Sequence, residues 1–262
     1  MTQDTRAPVL LERDDTIATV TINRPEARNA LNLPMCLALR EMFEGLDTDP
    51  TIRVVLLKAA GPVFCAGADL KERIGKDEAW VIARRRASFA AYDAIGRCGK
   101  PVMALTQGPV VGSGGEILMS CDFVIASERT TFRFPEPQWG TVGATQRLQR
   151  VIGRMNAKEL LFTGRTMPVE EAYARGLVSR IVAADLLEST GRQVAADIAR
   201  APALAMALTK QAVDLGHETN LANGIRIEME AIERCLAAGD WRIGLDRFAA
   251  EIGKGQNSDA RS

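Results

Sequence analysis

The chain has 262 residues, 47% apolar and 25% charged, a composition that excludes a disordered or fibrous polymer and allows one large domain or two small ones. Its 33 basic and 33 acidic residues balance, so no net field draws it to nucleic acid or to an anionic membrane, and an anionic ligand has to be held locally. No apolar run reaches the ~18 residues of a membrane span, and the opening stretch, with acids at Asp4, Glu12, Asp14 and Asp15, reads neither as a secretory leader nor as a transit peptide, so a cytoplasmic protein is expected.

Residues 9–13 and 16–22 read as a hairpin around Asp14 and Asp15, the second strand with the alternation of a half-buried strand. Residues 34–46 follow as a helix, with Pro34 in its first turn and Met35, Leu39, Met42, Phe43 and Leu46 on one face. A compact apolar strand at 53–58 runs into a loop at 59–69, and an amphipathic helix spans about 77–97. Within it, Arg84, Arg85 and Arg86 read as a solvated face. Residues 101–106 form another apolar strand, followed by a glycine-rich loop at 107–115 and a short apolar helix at 116–121. Short strands are expected at 123–126 and 131–134. Beyond Gly143 the strand signal is confined to 178–182, and helical periodicity runs through Phe248. This order gives an α/β core over residues 1–200 and a helical region over 201–262, whose apolar faces call for subunit packing. The polar end at 253–262 reads as frayed.

Cys36, Cys65, Cys98, Cys121 and Cys235 are odd in number and form no C-x-x-C pair, so reduced thiols are expected. His217 is the single histidine; neither a metal site nor a Ser-His-Asp triad is expected.

Two glycine-rich loops each follow a strand. In residues 61–71, small side chains let a ligand approach the main chain. Residues 108–116 lead into a helix whose first N–H groups are unpaired and would stabilise an oxygen gaining negative charge. The second loop lacks the Lys-Ser/Thr of a phosphate loop and the spacing of a dinucleotide fingerprint. Ser113 has no histidine near it in sequence to make it a nucleophile.

The segments Asn23-Arg-Pro-Glu-Ala-Arg-Asn-Ala-Leu-Asn32, Phe64-Cys-Ala-Gly-Ala-Asp-Leu-Lys71, Gly112-Ser-Gly-Gly-Glu-Ile-Leu118 with Cys121-Asp122, Phe134-Pro-Glu136 and Thr145-Gln-Arg-Leu148 stand in the order of the enoyl-CoA hydratase/isomerase (crotonase) family, which the chain resembles. The resemblance implies a spiral of ββα repeats with a C-terminal helical region that forms a homotrimer or dimer of trimers. It implies an acyl-CoA substrate, with coenzyme A part of that substrate and no further cofactor, and a place in fatty acid metabolism. By position it assigns the oxyanion hole to the amides of Ala66 and Ser113, and proton transfer to Glu116 and Glu136 flanking a water. Arg24, Arg28, Lys58 and Lys71 lie near the matched loops and are candidates for the CoA phosphates; Ala66, Gly67, Ala68, Asp69 and Leu70 resemble the stretch along adenine and pantetheine, and Gly112 is a further candidate substrate- or CoA-binding residue.

Ser113 stands where the family usually has glycine, and the turn between Glu136 and Thr145 is about three residues shorter than usual. The basic pair common after the tail phenylalanine is also absent after Phe248. The expected activity is enoyl-CoA hydration. An isomerase, a hydrolase or a decarboxylase of the same family is the alternative, and a non-catalytic or RNA-associated relative a third reading that the balanced charge disfavours.

Overall fold

The computed structural model of the chain describes residues 7–259; the expectations that fall on residues 1–6 and 260–262 lie outside them. The chain divides into two compact units between Ile198 and Ala199. The first contains, in order, β1 (Val9–Asp14), β2 (Ile17–Ile22), α1 (Leu33–Thr48), β3 (Val54–Ala59), α2 (Glu78–Arg97), β4 (Val102–Thr106), β5 (Pro109–Val111), α3 (Ser113–Leu118), β6 (Phe123–Ser127), β7 (Thr131–Arg133), α4 (Thr145–Ile152), α5 (Arg154–Thr163), β8 (Thr166–Pro168), α6 (Val169–Ala174) and β9 (Arg180–Val182), followed by α7 (Leu187–Ala199). Six strands form one sheet in the order β1-β2-β3-β4-β6-β9, and β5-β7-β8 form a second.

β1 and β2 form the expected hairpin, Val9 opposite Ile22, with Asp15 in the left-handed conformation that Asp tolerates. β2 is not half-buried, however. It lies between β1 and β3, and residues from Ala18 to Ile22 are buried on both faces. Pairing from β2 through β3, β4, β6 and β9 is parallel throughout, which requires crossovers and covered faces. The crossovers repeat: β4, β5 and α3 form one unit, and β6, β7 and α4 the next. β3 begins a reduced unit in which Cys65 bridges Val110 in parallel before α2. Each turn of this ββα spiral thus places one strand in the large sheet, one short stretch in the small sheet, and then a helix.

Local chemistry sets the helix starts. Asn32 accepts the Met35 N–H at 3.0 Å and Asp77 accepts the Trp80 N–H at 2.8 Å, capping α1 and α2. α1 and α2 pack together, and their buried Leu39, Phe43, Ala91, Tyr92 and Ile95 join one core with the sheet residues. The run Arg84–Arg86 is not a solvated face: only Arg86 is exposed, and Arg84 is 2% exposed. The Arg84 guanidinium donates to Glu72, to Ser88 and to the Leu31 carbonyl, tying α2 to two loops.

The second unit contains α8 (Ala203–His217), α9 (Leu221–Ala238) and α10 (Asp240–Asp259). α8 and α9 pack together. Asn220 caps α9 and Gly239, at φ 84, ends it. α10 remains helical through Asp259, where a frayed end was expected. Leu221, Ile225, Met229, Ile232 and Leu236 recur at helical spacing on α9 and are all exposed. Among the described residues, no helix is long and apolar enough to cross a membrane.

Candidate active site

Three loops at the carboxyl ends of strands surround a cavity of about 80 Å³. The first follows β3 and contributes Ala66, Gly67, Ala68 and Leu70; the second follows β5 and contributes Gly112 and Ser113; the third follows β7 and contributes Glu136 and Trp139. The first two are joined by a short parallel ladder, in which Cys65 N–H donates to Pro109 O at 3.4 Å and Val111 N–H to Cys65 O at 2.9 Å.

The amides of the first loop are not equivalent. Ala66 N–H donates to Arg28 O at 3.0 Å, so the donor expected at position 66 is already engaged. Leu31 N–H donates to Gly67 O at 2.8 Å, and Asp69 N–H to Leu31 O at 2.9 Å, forming a parallel bridge between Leu31 and Ala68. Neighbouring amides of an extended pair point to opposite sides, which turns Ala68 N–H away from Leu31. Among the described residues it donates to no backbone carbonyl, and Ala68 lines the cavity. Of the two amides, that of Ala66 is engaged and that of Ala68 is the one left without a backbone partner at the cavity.

In the second loop Gly112 precedes α3 at φ 48, and a Cβ there would stand 3.0 Å from Glu136 Oε1; only glycine meets both demands. The helix begins at Ser113, not at Glu116 as expected, so the Ser113 N–H is one of the first-turn donors without a partner in the helix. The Ser113 hydroxyl lies beside the buried Tyr92 hydroxyl without a hydrogen bond of normal geometry. Burial, foremost, pushes the Tyr92 phenol up.

Glu136 is 9% exposed and packs between Gly112 and Gly143, whose added Cβ would fall 2.9 Å from Glu136 Cγ. Its Oε2 is buried without a hydrogen-bond partner. Burial, assisted by the charge of Glu116, raises its carboxyl above the ordinary 4.5, while Arg85 opposes the shift. Glu116, 6% exposed, is held differently: Oε1 accepts Ala144 N–H at 2.7 Å and Oε2 pairs with Arg147 at 3.2 Å. It does not line the cavity. The short turn after Glu136 folds as a 3-10 turn over Pro137–Trp139, passes Gly140 in the left-handed region, and enters α4 from Ala144 at φ 56. The bond from Ala144 N–H to Glu116 helps offset that uncommon conformation.

Among the remaining expected residues, Arg24 donates to Ala30 O at 2.6 Å and pairs with Asp69 at 3.2 Å, while Asp69 also accepts the Lys71 N–H at 3.1 Å. Both hold the loop in shape. Arg28 and Lys71 are exposed and, like Arg24 and Asp69, do not line the cavity; Lys58 pairs with Glu188 at 2.7 Å. Sequence reasoning named Ala68 only along the CoA stretch, and it did not single out Arg73 and Arg85, which line the cavity, or Arg147, which pairs with Glu116. Arg147 lies inside the matched Thr-Gln-Arg-Leu segment and pairs with Asp93 as well as Glu116. Asn29, also inside a matched segment, is fully buried and donates to Ala60 O and Val63 O at 2.8 and 2.7 Å, pinning the first loop.

The family profile described as enoyl-CoA hydratase/isomerase matches residues 12–256. A probable enoyl-CoA hydratase, echA8, of Mycobacterium bovis is 35% identical over 243 residues, covering 92% of this chain and 94% of that protein. The short-chain-enoyl-CoA hydratase of Clostridium acetobutylicum is 34% identical over 247 residues, covering 92% and 94%. The crystal structure of an enoyl-CoA hydratase from Bacillus anthracis superposes with a TM-score of 0.90 at 32% identity, covering 93% of this chain and 96% of that one. The shared sequence, the spiral of repeats and the loops that enclose the cavity agree: the chain belongs to the enoyl-CoA hydratase/isomerase family.

Proposed function

We propose that the protein is an enoyl-CoA hydratase that adds water across the 2,3 double bond of a short enoyl-CoA, with the amides of Ala68 and Ser113 receiving the thioester oxygen. The observation that carries this reading is Glu136, a buried carboxylate with an unpartnered oxygen, sharing one small cavity with both donor positions. Water attack on the β-carbon moves charge onto the thioester oxygen, and each fixed N–H that meets it lowers the barrier by roughly 2.7–4 kcal/mol. A carboxyl that holds its proton above the ordinary range suits Glu136 to deliver a proton to the α-carbon. The resemblance assigns the proton of the attacking water to Glu116, which Ala144 and Arg147 orient and which does not itself line the cavity. The chemistry needs no cofactor beyond the coenzyme A of the substrate.

A second reading, double-bond isomerisation, is favoured by one observation: Glu136 is the one carboxylate among the residues lining the cavity, and isomerisation needs one carboxylate to move one proton. A panel of 2-enoyl- and 3-enoyl-CoA substrates separates the two. Hydration of the 2-enoyl thioesters is expected, and Glu136→Gln is expected to lower kcat by ~10²–10⁴-fold. Conversion of 3-enoyl to 2-enoyl thioesters without hydration would favour isomerisation; full activity in Glu136→Gln would remove both.

A further inference from the structure

The cavity that holds Glu136 also holds two guanidinium groups, Arg73 and Arg85, and no other ionisable side chain lines it among the described residues. Arg73 ends the 3-10 turn Leu70–Arg73 that leaves the first loop. Its Nε is buried without a hydrogen-bond partner. The adjacent Glu72 makes no hydrogen bond to it; its carboxylate oxygens accept from Arg84 and from Leu33 N–H at 2.9 Å. Arg84 is itself fully committed to Glu72, Ser88 and Leu31. Arg85 touches only neutral acceptors, Thr141 Oγ1 at 3.3 Å and Val142 O. Burial and the charges of Arg85 and Arg84 bear on Arg73 in the same unfavourable direction and the charge of Glu72 opposes them only in part, yet guanidinium stays charged in any protein. Two cations without an ion-pair partner, facing a single carboxylate across a small cavity, oppose a plain hydrocarbon chain and suit an anion, which a guanidinium fork binds bidentately when the anion is a carboxylate.

We propose that the acyl group taken by this site carries a second carboxylate at the end remote from the thioester, received by Arg73 and Arg85; the inference rests on the acyl-CoA reading above. The phosphates of coenzyme A are the other source of anionic charge, but they are separated from the thioester by the whole pantetheine arm. Arg73 and Arg85 share the cavity with Ala68, Ser113 and Glu136, on the reacting side. At about 80 Å³ the cavity suits an acyl group of a few carbons, so its far end comes within reach of the arginines.

The test titrates the full chain with glutaryl-CoA and pentanoyl-CoA, thioesters of equal carbon number that differ in a terminal carboxylate or methyl group, and with free CoA. Glutaryl-CoA is expected to bind at least about tenfold more tightly than pentanoyl-CoA, and Arg73→Met is expected to collapse that ratio. Arg85→Lys, which keeps charge but loses the fork, is expected to shrink it in part. The comparison in the unaltered chain decides the matter even if a variant fails to fold. Equal binding of the two thioesters overturns the proposal, as does an equal loss for both thioesters and free CoA in Arg73→Met, which would place the guanidinium on phosphate. Selective binding with no turnover of any enoyl-CoA sinks the hydratase reading and leaves this one standing. Equal binding with hydration of 2-pentenoyl-CoA does the reverse, and no thioester binding at all overturns both.

Discussion

Glu136 loses most of its water by packing between Gly112 and Gly143, and one of its oxygens gains no donor in exchange. The folded protein therefore holds this proton more tightly than the unfolded chain does. Stability from the protonated form is fully present below the unfolded value near 4.5 and is lost as pH rises through the higher folded value. Glu136→Gln removes that slope. We expect the variant to be much slower yet more stable than the parent near neutral pH, by roughly 1–3 kcal/mol, the usual cost of a buried unsatisfied polar group. Melting curves of both proteins from about pH 4 to about pH 8 check this, since the gain should vanish at the acidic end. A lower melting temperature for the variant at neutral pH would show that Glu136 makes a stabilising contact instead. Glu116 has the opposite surroundings, two donors and no face on the cavity, and the motif that contains it gives no hint of that difference.

Among elements, α2 carries the largest departure from expectation. A helix with three successive arginines reads as solvated because its polar count is high, but the 3.6-residue period sends Arg84 inward, Arg85 to the cavity and Arg86 out. Arg84 ties α2 to Glu72 and to Leu31, so Arg84→Met strands a mostly buried carboxylate at Glu72. The expected cost is about 3 kcal/mol, measured by urea unfolding; a loss below about 1 kcal/mol would show the pair to be dispensable. Long or strongly patterned elements were legible in the sequence: β1, β2, α1, β3, α2, β4 and β6 stand within one or two residues of their expected bounds. Three-residue strands were legible only in part: β7 and β9 fall within the stretches expected at 131–134 and 178–182, whereas β5, inside the glycine-rich stretch, and β8, among helices, were not expected. In the site, three of the matched motifs contribute residues to the one cavity: Ala66, Gly67, Ala68 and Leu70, then Gly112 with Ser113, and Pro135 with Glu136. That the Ala66 amide is engaged and the Ala68 amide is not was not legible, since it depends on a distant carbonyl, that of Arg28.

For the molecule as a whole, the exposed apolar stripe on α9, Leu221 to Leu236, is the clearest sign of unfinished packing. We expect the chain to assemble as a homotrimer or dimer of trimers, and Met229→Glu to shift it toward monomer in sedimentation; a parent protein that sediments as a monomer would refute this. The arrangement of the first unit has a further consequence. Ala68, Ser113 and Glu136 stand on three different turns of the spiral, each beyond the end of a strand, so residues can be deleted there without removing any rung of the sheets. The turn between Glu136 and α4 lies on that rim, and a scaffold of this kind can change its chemistry by trimming its rim while its foundation goes untouched.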